Sequence, residues 1–238
     1  MPTLQAACHT VAFHGSPQEA AMNIVTTLTT QPDPASVTIN PALRPSLMFD
    51  IDGTLGFLFP VVVAAVNAHF GLDLVASEIT TYNLSGILQP DQAAWVEEQF
   101  ANPNLYTNCA PDFRGIGAVQ ALHKADYEIV IATDRPEGLE DITEKWLKRW
   151  DVPYDQLMVG WGKKEAWCAK HGPKDPAVLF DDSPAKAMTI PRPGMRLFVP
   201  LRSYTPAVDF NRANVVVFRE WSEALVALGV PPTVLLPR

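Results

Sequence analysis

Two short apolar runs, each followed directly by acidic residues, constrain what this chain can fold into more than any other feature. Leu47-Met48-Phe49 precedes Asp50-Ile51-Asp52-Gly53-Thr54, and Val178-Leu179-Phe180 precedes Asp181-Asp182. A single Asp-x-Asp-Gly stretch is a weak signal, because aspartate and glycine are common in ordinary turns. Two acidic pairs at the ends of buried strands predict that carboxylates from distant parts of the chain meet at one edge of a sheet.

Apolar runs that read as strands alternate with amphipathic helices from Leu47 to near the C-terminus. The predicted strands are residues 47–49, 127–132, 156–159, 177–180, 196–199 and 215–218. The predicted helices between and after them include residues 113–124, 137–150, 165–171 and 221–228. This alternation indicates an α/β protein with a parallel, Rossmann-like sheet covered by helices on both faces.

The 83 positions between Asp50 and Thr133 (133 − 50) indicate an insertion. A minimal strand-helix-strand unit takes about 30 residues, so about fifty are left over. Residues 57–112 are therefore predicted to form a small helical cap above the site. Aromatic residues at helical spacing in such a cap are usually its own core, but Phe57, Tyr82 or Trp95 could contact a substrate by stacking.

Paired carboxylates at strand ends suit phosphoryl transfer. One carboxylate can attack phosphorus while the other handles the proton of the leaving group, and a metal ion neutralises the phosphate. Converging carboxylates repel each other unless a cation lies between them. Because the ligands are hard oxygens, Mg²⁺ is expected rather than zinc.

An acidic pair, a strand-end threonine, a lysine and a second acidic pair occur in the order of the four motifs of the haloacid dehalogenase superfamily of phosphohydrolases. The chain resembles that superfamily over about residues 46–225. The resemblance implies a core of residues 46–56 and 113–238, and a C1-type cap at residues 57–112. Residues 1–45 fall outside it and read as an extension or linker.

The resemblance also implies a role for each motif residue. Asp50 matches the nucleophile that forms an aspartyl-phosphate, and Asp52 matches the general acid and base, with its backbone carbonyl on the metal. Asp182 is expected to bind Mg²⁺ together with Asp50. Asp181 is expected either to bind the metal or to orient the lysine or a metal-bound water, and both readings stay open.

The phosphate is expected to be bound by the Thr133 hydroxyl and the backbone N–H of Asp134. Lys164 is the preferred candidate for the cation that neutralises nucleophile and phosphate, with Lys163 as its rival. Arg135 could contact substrate or support its loop through an ion pair.

Within the superfamily, the chain most resembles the 5'(3')-deoxyribonucleotidase group. The supporting segments are the cap, Arg135-Pro136, Lys145-Trp146-Leu147, Leu179 to Asp182, and the stretch from Phe198 through Asn211 to Trp221. The chain departs from that group in its N-terminal extension and in the stretch between Lys164 and Asp181, which contains Pro173 and Pro176. The resemblance implies a Mg²⁺-dependent nucleotidase that acts on nucleoside monophosphates.

Two alternatives stay open at this point. One is a phosphatase that acts on nucleic-acid ends or on phosphoprotein, which an inserted cap disfavours because it walls the site off from bulky chains. The other is a non-catalytic protein that only binds a phosphate ligand, which the retained Asp52 disfavours.

Composition limits the partners and the compartment. The net charge of −8 argues against a surface built to bind nucleic acid. Three scattered cysteines predict a reducing cytoplasm rather than a disulfide framework. The longest apolar run, residues 57–66, is far shorter than the roughly 20 residues that span a membrane. Cys8, His9 and His14 are too few ligands to predict a metal site, and a homodimer stays open.

Overall fold

The computed structural model describes residues 45–171, 177–183, 185–186, 194–205 and 214–230. All of them belong to the compact unit Val37–Arg238, and the other unit, Met1–Ser36, lies outside the described residues. The expectations for residues 1–44, including Cys8, His9 and His14, therefore fall outside the described residues. The same holds for Pro173, Pro176 and Asn211.

Six parallel strands form the central sheet, as the alternating sequence pattern predicts. They are β1 (Ser46–Phe49), β4 (Ile129–Thr133), β5 (Gln156–Val159), β6 (Ala177–Phe180), β7 (Met195–Pro200) and β8 (Val215–Phe218). Their order across the sheet is β5-β4-β1-β6-β7-β8, so β1 is central with β4 and β6 beside it. Phe49, the last residue of β1, pairs with Ile131 on one side and Phe180 on the other. The carboxyl ends of these three strands therefore lie together.

Seven α-helices have both of their ends within the described residues. They are α1 (Leu58–Phe70), α2 (Pro90–Gln99), α3 (Pro103–Thr107), α4 (Phe113–Lys124), α5 (Glu140–Arg149), α6 (Lys163–Cys168) and α7 (Trp221–Ala227). Two 3₁₀ turns, Ala76–Glu78 and Leu84–Gly86, lie between α1 and α2. Among the described residues, no helix is long and apolar enough to cross a membrane.

Helices cover both faces of the sheet. Leu47 and Phe49 point into a cluster that contains residues of α4, α5 and α7. Met48, which lies between them, points the opposite way into a second cluster with Trp167 and Cys168 of α6. Because alternate strand residues are buried on opposite faces, the strands read as continuous apolar runs rather than as an alternating pattern. The doubly covered, Rossmann-like fold class is confirmed.

A short antiparallel ribbon marks the base of the inserted segment. Its strands are β2 (Gly56–Phe57) and β3 (Ala110–Pro111), with Gly56 opposite Pro111 and Phe57 opposite Ala110. The chain between them, residues 58–109, carries α1, α2 and α3. The ribbon brings the two ends of this segment together beside the turn that follows β1. The role of the segment as a cap stays a prediction.

An aromatic stack fixes α7 against the strand ends. The rings of Phe49 and Phe180 stack with their centroids 4.4 Å apart, and Trp221 lies 5.6 Å from Phe180. The Trp221 Nε1–H donates to Asp112 Oδ2 at 3.1 Å, while Asp112 Oδ1 accepts the Gly115 N–H at the start of α4. This packing sets the positions of β1 and β6 relative to each other.

Replacing Phe180, which is fully buried, should therefore be costly. We expect Phe180→Ala to lower the free energy of unfolding by about 3–5 kcal/mol, because it removes ring contacts and leaves a cavity. Phe113 is 70% exposed and makes a matched control. Phe113→Ala should change stability by roughly 0.5 kcal/mol or less. Urea denaturation of both variants measures this, and similar losses would contradict the central role of the stack.

Candidate active site

Three buried carboxylates converge where β1 and β6 end. Asp50 directly follows β1, and Asp181 and Asp182 directly follow β6. One carboxylate oxygen from each lies within 4.8 Å of the others, so that the three could together hold a metal ion. The donors are all oxygens, which suits a hard divalent cation. The structure thus brings together the two acidic motifs that lie far apart in the sequence.

Lys164 lies between two of these carboxylates. Its Nζ is 2.7 Å from Asp50 Oδ1 and 2.7 Å from Asp181 Oδ2, and the residue is 2% exposed. Lys163, the rival candidate, has a 42% exposed side chain and reaches the Val159 carbonyl and Glu137. Lys164 is therefore the lysine that the fold brings to the carboxylates.

Burial and mutual repulsion shape the charges of this cluster. Burial raises the pKa of Asp50, and Asp181 and Asp182 raise it further, whereas Lys164 lowers it. Burial and Asp181 raise the pKa of Asp182 to about 7. Burial alone would lower the pKa of the Lys164 ammonium, but Asp181 and Asp50 outweigh that effect and raise it. The cluster holds more negative charge than one lysine neutralises, which favours a second cation.

Position 53 requires glycine for two reasons: its backbone conformation, and the lack of room for a side chain. Gly53 has φ +91°, in the left-handed region that side chains disfavour. A Cβ at this position would lie 2.0 Å from Asp182 Oδ2. The turn after β1 can therefore pack directly against the second acidic motif only because residue 53 lacks a side chain.

Tyr82 and Tyr204 lie beside Asp182. The sequence patterns assign neither of them to the carboxylate cluster. The Tyr204 hydroxyl donates to Asp182 Oδ2 at 2.5 Å, and its ring is 5.4 Å from that of Tyr82. The Tyr82 residue as a whole is 47% exposed, but burial around its hydroxyl, followed by the charges of Asp182 and Asp181, raises the pKa of Tyr82 above its usual value. Tyr204 follows β7 and carries no local pattern that would have marked it. Tyr82 was singled out only as a cap aromatic.

Arg202 is a further residue that sequence reasoning missed. Its Nε donates to the Gly53 carbonyl at 2.7 Å, and its Nη2 donates to the Thr54 carbonyl at 3.0 Å. The same nitrogen lies 3.4 Å from Asp112 Oδ2, and the guanidinium covers the Phe57 ring at 4.9 Å. Arg202 thereby joins the turn after β1 to both ends of the inserted segment.

Thr133 and Asp134 lie at the end of β4, next to Asp50's strand. Thr133 is buried, and its Oγ1 accepts the Arg135 N–H at 3.3 Å. The Asp134 carboxylate lies 3.8 Å from Lys164 Nζ and 3.1 Å from Lys186 Nζ. Lys186 also pairs with Glu165, so a second buried lysine supports the loop that carries Asp134.

Asp52 lies apart from Asp50, Asp181 and Asp182, the carboxylates that could hold a metal ion in the described part of the chain. Both of its carboxylate oxygens instead accept hydrogen bonds from Arg135, at 2.7 and 2.8 Å. Of the two roles considered for Arg135, the geometry supports the ion pair. The two acids of the first motif therefore occupy different electrostatic surroundings.

The three aromatic residues singled out in the inserted segment have different surroundings. Trp95 stacks on His69 at 4.3 Å and meets Phe70 edge-on, so it packs within the segment. Phe57 and Tyr82 instead contact Arg202 and Tyr204 of the core. A pocket of about 310 Å³ lies beside these contacts. Its lining residues are Gly53, Phe57, Phe59, Pro60, Ala76, Ser77, Leu201, Arg202, Ser203 and Tyr204.

Solved structures similar to this chain share one fold. A haloacid dehalogenase-like hydrolase from Streptococcus pneumoniae superposes with a TM-score of 0.56 at 12% identity, covering 77% of this chain and 98% of its own. A HAD family hydrolase from Deinococcus radiodurans, solved with bound phosphate and sodium, superposes with a TM-score of 0.56 at 19% identity, covering 82% of this chain and 99% of its own. The chain has the haloacid dehalogenase-like fold.

Sequence relatives have somewhat higher identity to this chain than these solved structures and are covered over most of their length. Proteins of Bacillus subtilis and Halalkalibacterium halodurans are both named "Putative nucleotidase". The first is 24% identical over 187 residues, which is 75% of this chain and 91% of its own. The second is 28% identical over 185 residues, which is 74% of this chain and 88% of its own. No protein-family model matches the chain.

The raised pKa of Asp182 in this haloacid dehalogenase-like fold predicts a pH dependence of stability. The folded state favours the protonated carboxyl, since its pKa rises from 3.8 to about 7. In the metal-free protein this stabilisation is fully present below about pH 4 and is lost as pH rises through about 7. A divalent cation binds the ionised carboxylates and should remove that loss.

Thermal unfolding at several pH values, with and without the cation, measures this effect. Asp182→Asn should reduce the loss of thermal stability that the metal-free protein shows as pH rises. It should also abolish the stabilisation by the cation. Glu97→Gln, which removes an exposed carboxylate of α2, should behave like the wild type. A cation effect that survives Asp182→Asn would show that the ion binds elsewhere.

Proposed function

We propose that the protein is a Mg²⁺-dependent phosphomonoesterase that acts through an aspartyl-phosphate on Asp50, and that its substrates are nucleoside monophosphates. The observation that carries the proposal is the pair of contacts from Lys164 Nζ to Asp50 and Asp181 inside the carboxylate cluster. The haloacid dehalogenase-like fold and the names of the sequence relatives support a phosphatase with a nucleotide substrate.

Each residue of the cluster has a definite task in this reaction. Asp50, Asp182 and the backbone carbonyl of Asp52 would hold Mg²⁺, with Asp181 as a further ligand or as the partner of Lys164. The bound cation supplies charge neutralisation between the carboxylates and the phosphate. Lys164 supplies a second positive charge and fixes the orientation of the Asp50 carboxylate that attacks phosphorus.

The Asp50 oxygen forms a bond to phosphorus as the bond from phosphorus to the leaving oxygen breaks. Asp52 gives its proton to that oxygen, so the alcohol leaves neutral. Asp52 then takes a proton from water, whose oxygen attacks the phosphorus and releases Asp50 and inorganic phosphate. The Thr133 hydroxyl and the Asp134 N–H are proposed to bind the phosphate oxygens during both steps.

The inserted segment is proposed to act as a cap that selects the leaving group. Its two ends meet at the β2–β3 ribbon beside Gly53, and its residues Phe57, Phe59 and Ala76 line the pocket next to Tyr204. Aromatic faces together with the Arg202 guanidinium suit a planar base, because stacking on a base is worth about 1–3 kcal/mol. The same walls disfavour long chains such as nucleic-acid ends or phosphoprotein.

A panel of phosphate esters tests the proposed class of substrate. Nucleoside monophosphates, sugar phosphates, a 3'-phosphorylated oligonucleotide and a phosphopeptide would be assayed with and without Mg²⁺. We expect Mg²⁺-dependent release of phosphate from the nucleotides. If only the oligonucleotide or the peptide is hydrolysed, the protein is a phosphatase of nucleic-acid ends or of phosphoprotein and not a nucleotidase. Binding of a phosphate ester without any hydrolysis would support a non-catalytic, regulatory protein. The cytoplasm is the proposed location, which the three scattered cysteines of the sequence support.

Substitutions of the first motif separate the two carboxylate roles. Asp50→Asn should abolish turnover, because an amide cannot form the acyl phosphate. Asp52→Asn should slow turnover by about 10²- to 10⁴-fold while substrate binding largely survives. Steady-state kinetics with a nucleoside monophosphate measure both, and rates near wild type for Asp50→Asn would contradict the covalent mechanism.

Substitutions in the inserted segment test its role in specificity. Tyr82→Ala removes a ring that contacts Tyr204 next to the carboxylates, so it should change the ranking of nucleotides by kcat/KM. The hydrolysis of 4-nitrophenyl phosphate should change much less. Trp95→Ala is the matched control, since Trp95 packs on His69 within the segment. We expect Trp95→Ala to lower stability without changing the ranking, and equal losses on all substrates in Tyr82→Ala would remove the specificity role.

A further inference from the structure

We propose that Arg135 is a positioning residue that holds the Asp52 carboxylate on the leaving-group side of the site, and that the inserted segment completes this support through Tyr106. The inference rests on the proposed function, because it assigns a task to a residue beside the general acid. It is carried by a separate set of contacts that the nucleophile, the lysine and the metal ligands do not share.

The contact between Arg135 and Asp52 is bidentate. Arg135 Nε donates to Asp52 Oδ2 at 2.7 Å, and Arg135 Nη2 donates to Oδ1 at 2.8 Å. Two parallel charge-assisted hydrogen bonds fix the plane of a carboxylate as well as its position. A lysine in this place could fix only the distance, because its ammonium is a point charge without a planar fork.

The Arg135 side chain is itself held in place by several neighbours among the described residues. Its side chain is fully buried, and Nη1 donates to Thr143 Oγ1 of α5 at 3.3 Å. The guanidinium carbon lies 4.7 Å from the centre of the Tyr106 ring and 5.9 Å from that of Trp146. Cation–π contacts of this kind are strongest when desolvated. The guanidinium therefore has little freedom to follow Asp52 if that carboxylate moves.

The inserted segment contributes directly to this arrangement. Tyr106 belongs to α3, and its hydroxyl donates to the Phe100 carbonyl at 2.8 Å. The Cys109 carbonyl accepts the Trp146 Nε1–H at 2.8 Å, which ties the end of the segment to α5. Arg135 is thus enclosed between the inserted segment and the core. A cap that controls access to the site therefore also forms one wall of the support for Asp52.

The position of Asp52 matters because a proton must reach the leaving oxygen along a short path. Both Asp52 oxygens accept hydrogen bonds from Arg135, so one of these bonds must open for that carboxylate oxygen to carry the proton. The proton then passes to the leaving oxygen, while the other hydrogen bond still holds Asp52 and the Arg135 guanidinium stays charged. A carboxylate without Arg135 could rotate towards the cation held by the neighbouring carboxylates, where it cannot serve as acid. Misplacement by about 1 Å is enough to cost on the order of 10²-fold in rate.

The test compares substrates that differ in their need for the proton. Alcohol leaving groups of nucleoside monophosphates require protonation, whereas the phenolate of 4-nitrophenyl phosphate leaves readily without it. Arg135→Met should lower kcat/KM by about 10²-fold for a nucleoside monophosphate but only a few-fold for 4-nitrophenyl phosphate. The losses are compared in kcat/KM, because kcat also includes hydrolysis of the aspartyl-phosphate, a step in which Asp52 serves both substrates alike. Arg135→Lys should recover part of the loss.

Two controls separate positioning from folding. Arg196 also donates to a carbonyl, that of Ala227 at 2.9 Å, and covers the Phe198 ring at 4.9 Å, but it lies on β7 away from Asp52. Arg196→Met should affect both substrates alike. Tyr106→Leu removes the ring and should impair hydrolysis of the nucleotide more than that of 4-nitrophenyl phosphate, although less strongly than Arg135→Met does. Tyr106→Phe keeps the ring and should not show this difference.

A double-mutant cycle completes the experiment. In the Asp52→Asn background, adding Arg135→Met should cause no further loss with the nucleotide, because the group that it positions is already gone. Equal losses on both substrates, or additive losses in the double variant, would overturn the positioning role while leaving the proposed function intact. A wild-type protein that hydrolyses neither substrate would overturn the proposed function and this inference with it.

Discussion

The rest of the site depends on the contacts of the Lys164 ammonium with two carboxylates. The ammonium lies 2.7 Å from one oxygen of Asp50 and 2.7 Å from one oxygen of Asp181, although those residues end different strands. Three carboxylates buried within 4.8 Å of one another would otherwise repel strongly in a medium of low polarity. One lysine offsets part of that repulsion, and the remainder favours binding of a cation. The site is therefore assembled by charge balance rather than by packing alone.

The need to balance charge also separates the two acids of the first motif, Asp50 and Asp52. Asp50 continues the direction of β1 into the carboxylate cluster, whereas Asp52 lies in the turn that Gly53 allows and pairs with Arg135. Asp50 thus shares the Lys164 ammonium with Asp181, while Asp52 has the Arg135 guanidinium. This separation suits the proposed reaction, in which Asp50 is the nucleophile beside the cation and Asp52 is the general acid away from it.

Sequence patterns predict the parts of the site that strand ends determine, and they fail where distant loops fold over it. Asp50, Thr133 and Asp182 follow apolar runs, so topology alone brings them together. The sequence favours Lys164 over Lys163 without excluding Lys163, because which lysine faces the carboxylates depends on how α6 begins after its N-cap, Gly162 (φ +76°). Helix α5 was expected from Glu137 but begins at Glu140, since Gly138 (φ +92°) still belongs to the loop that carries Arg135. Tyr204 and Arg202 reach the site from beyond β7 without any local pattern.

Arg202 and Arg135 together couple the inserted segment to the turn that follows β1. Arg202 binds the Gly53 and Thr54 carbonyls and contacts Phe57 and Asp112, the residues that flank the segment. Arg135 binds Asp52 in the same turn and lies against Tyr106 within the segment. Two guanidinium groups thus join the turn to the segment, one at its base and one at α3. A displacement of the segment must change contacts of at least one of them. Substrate recognition by the segment would therefore reach the proton carrier through side chains that already contact both.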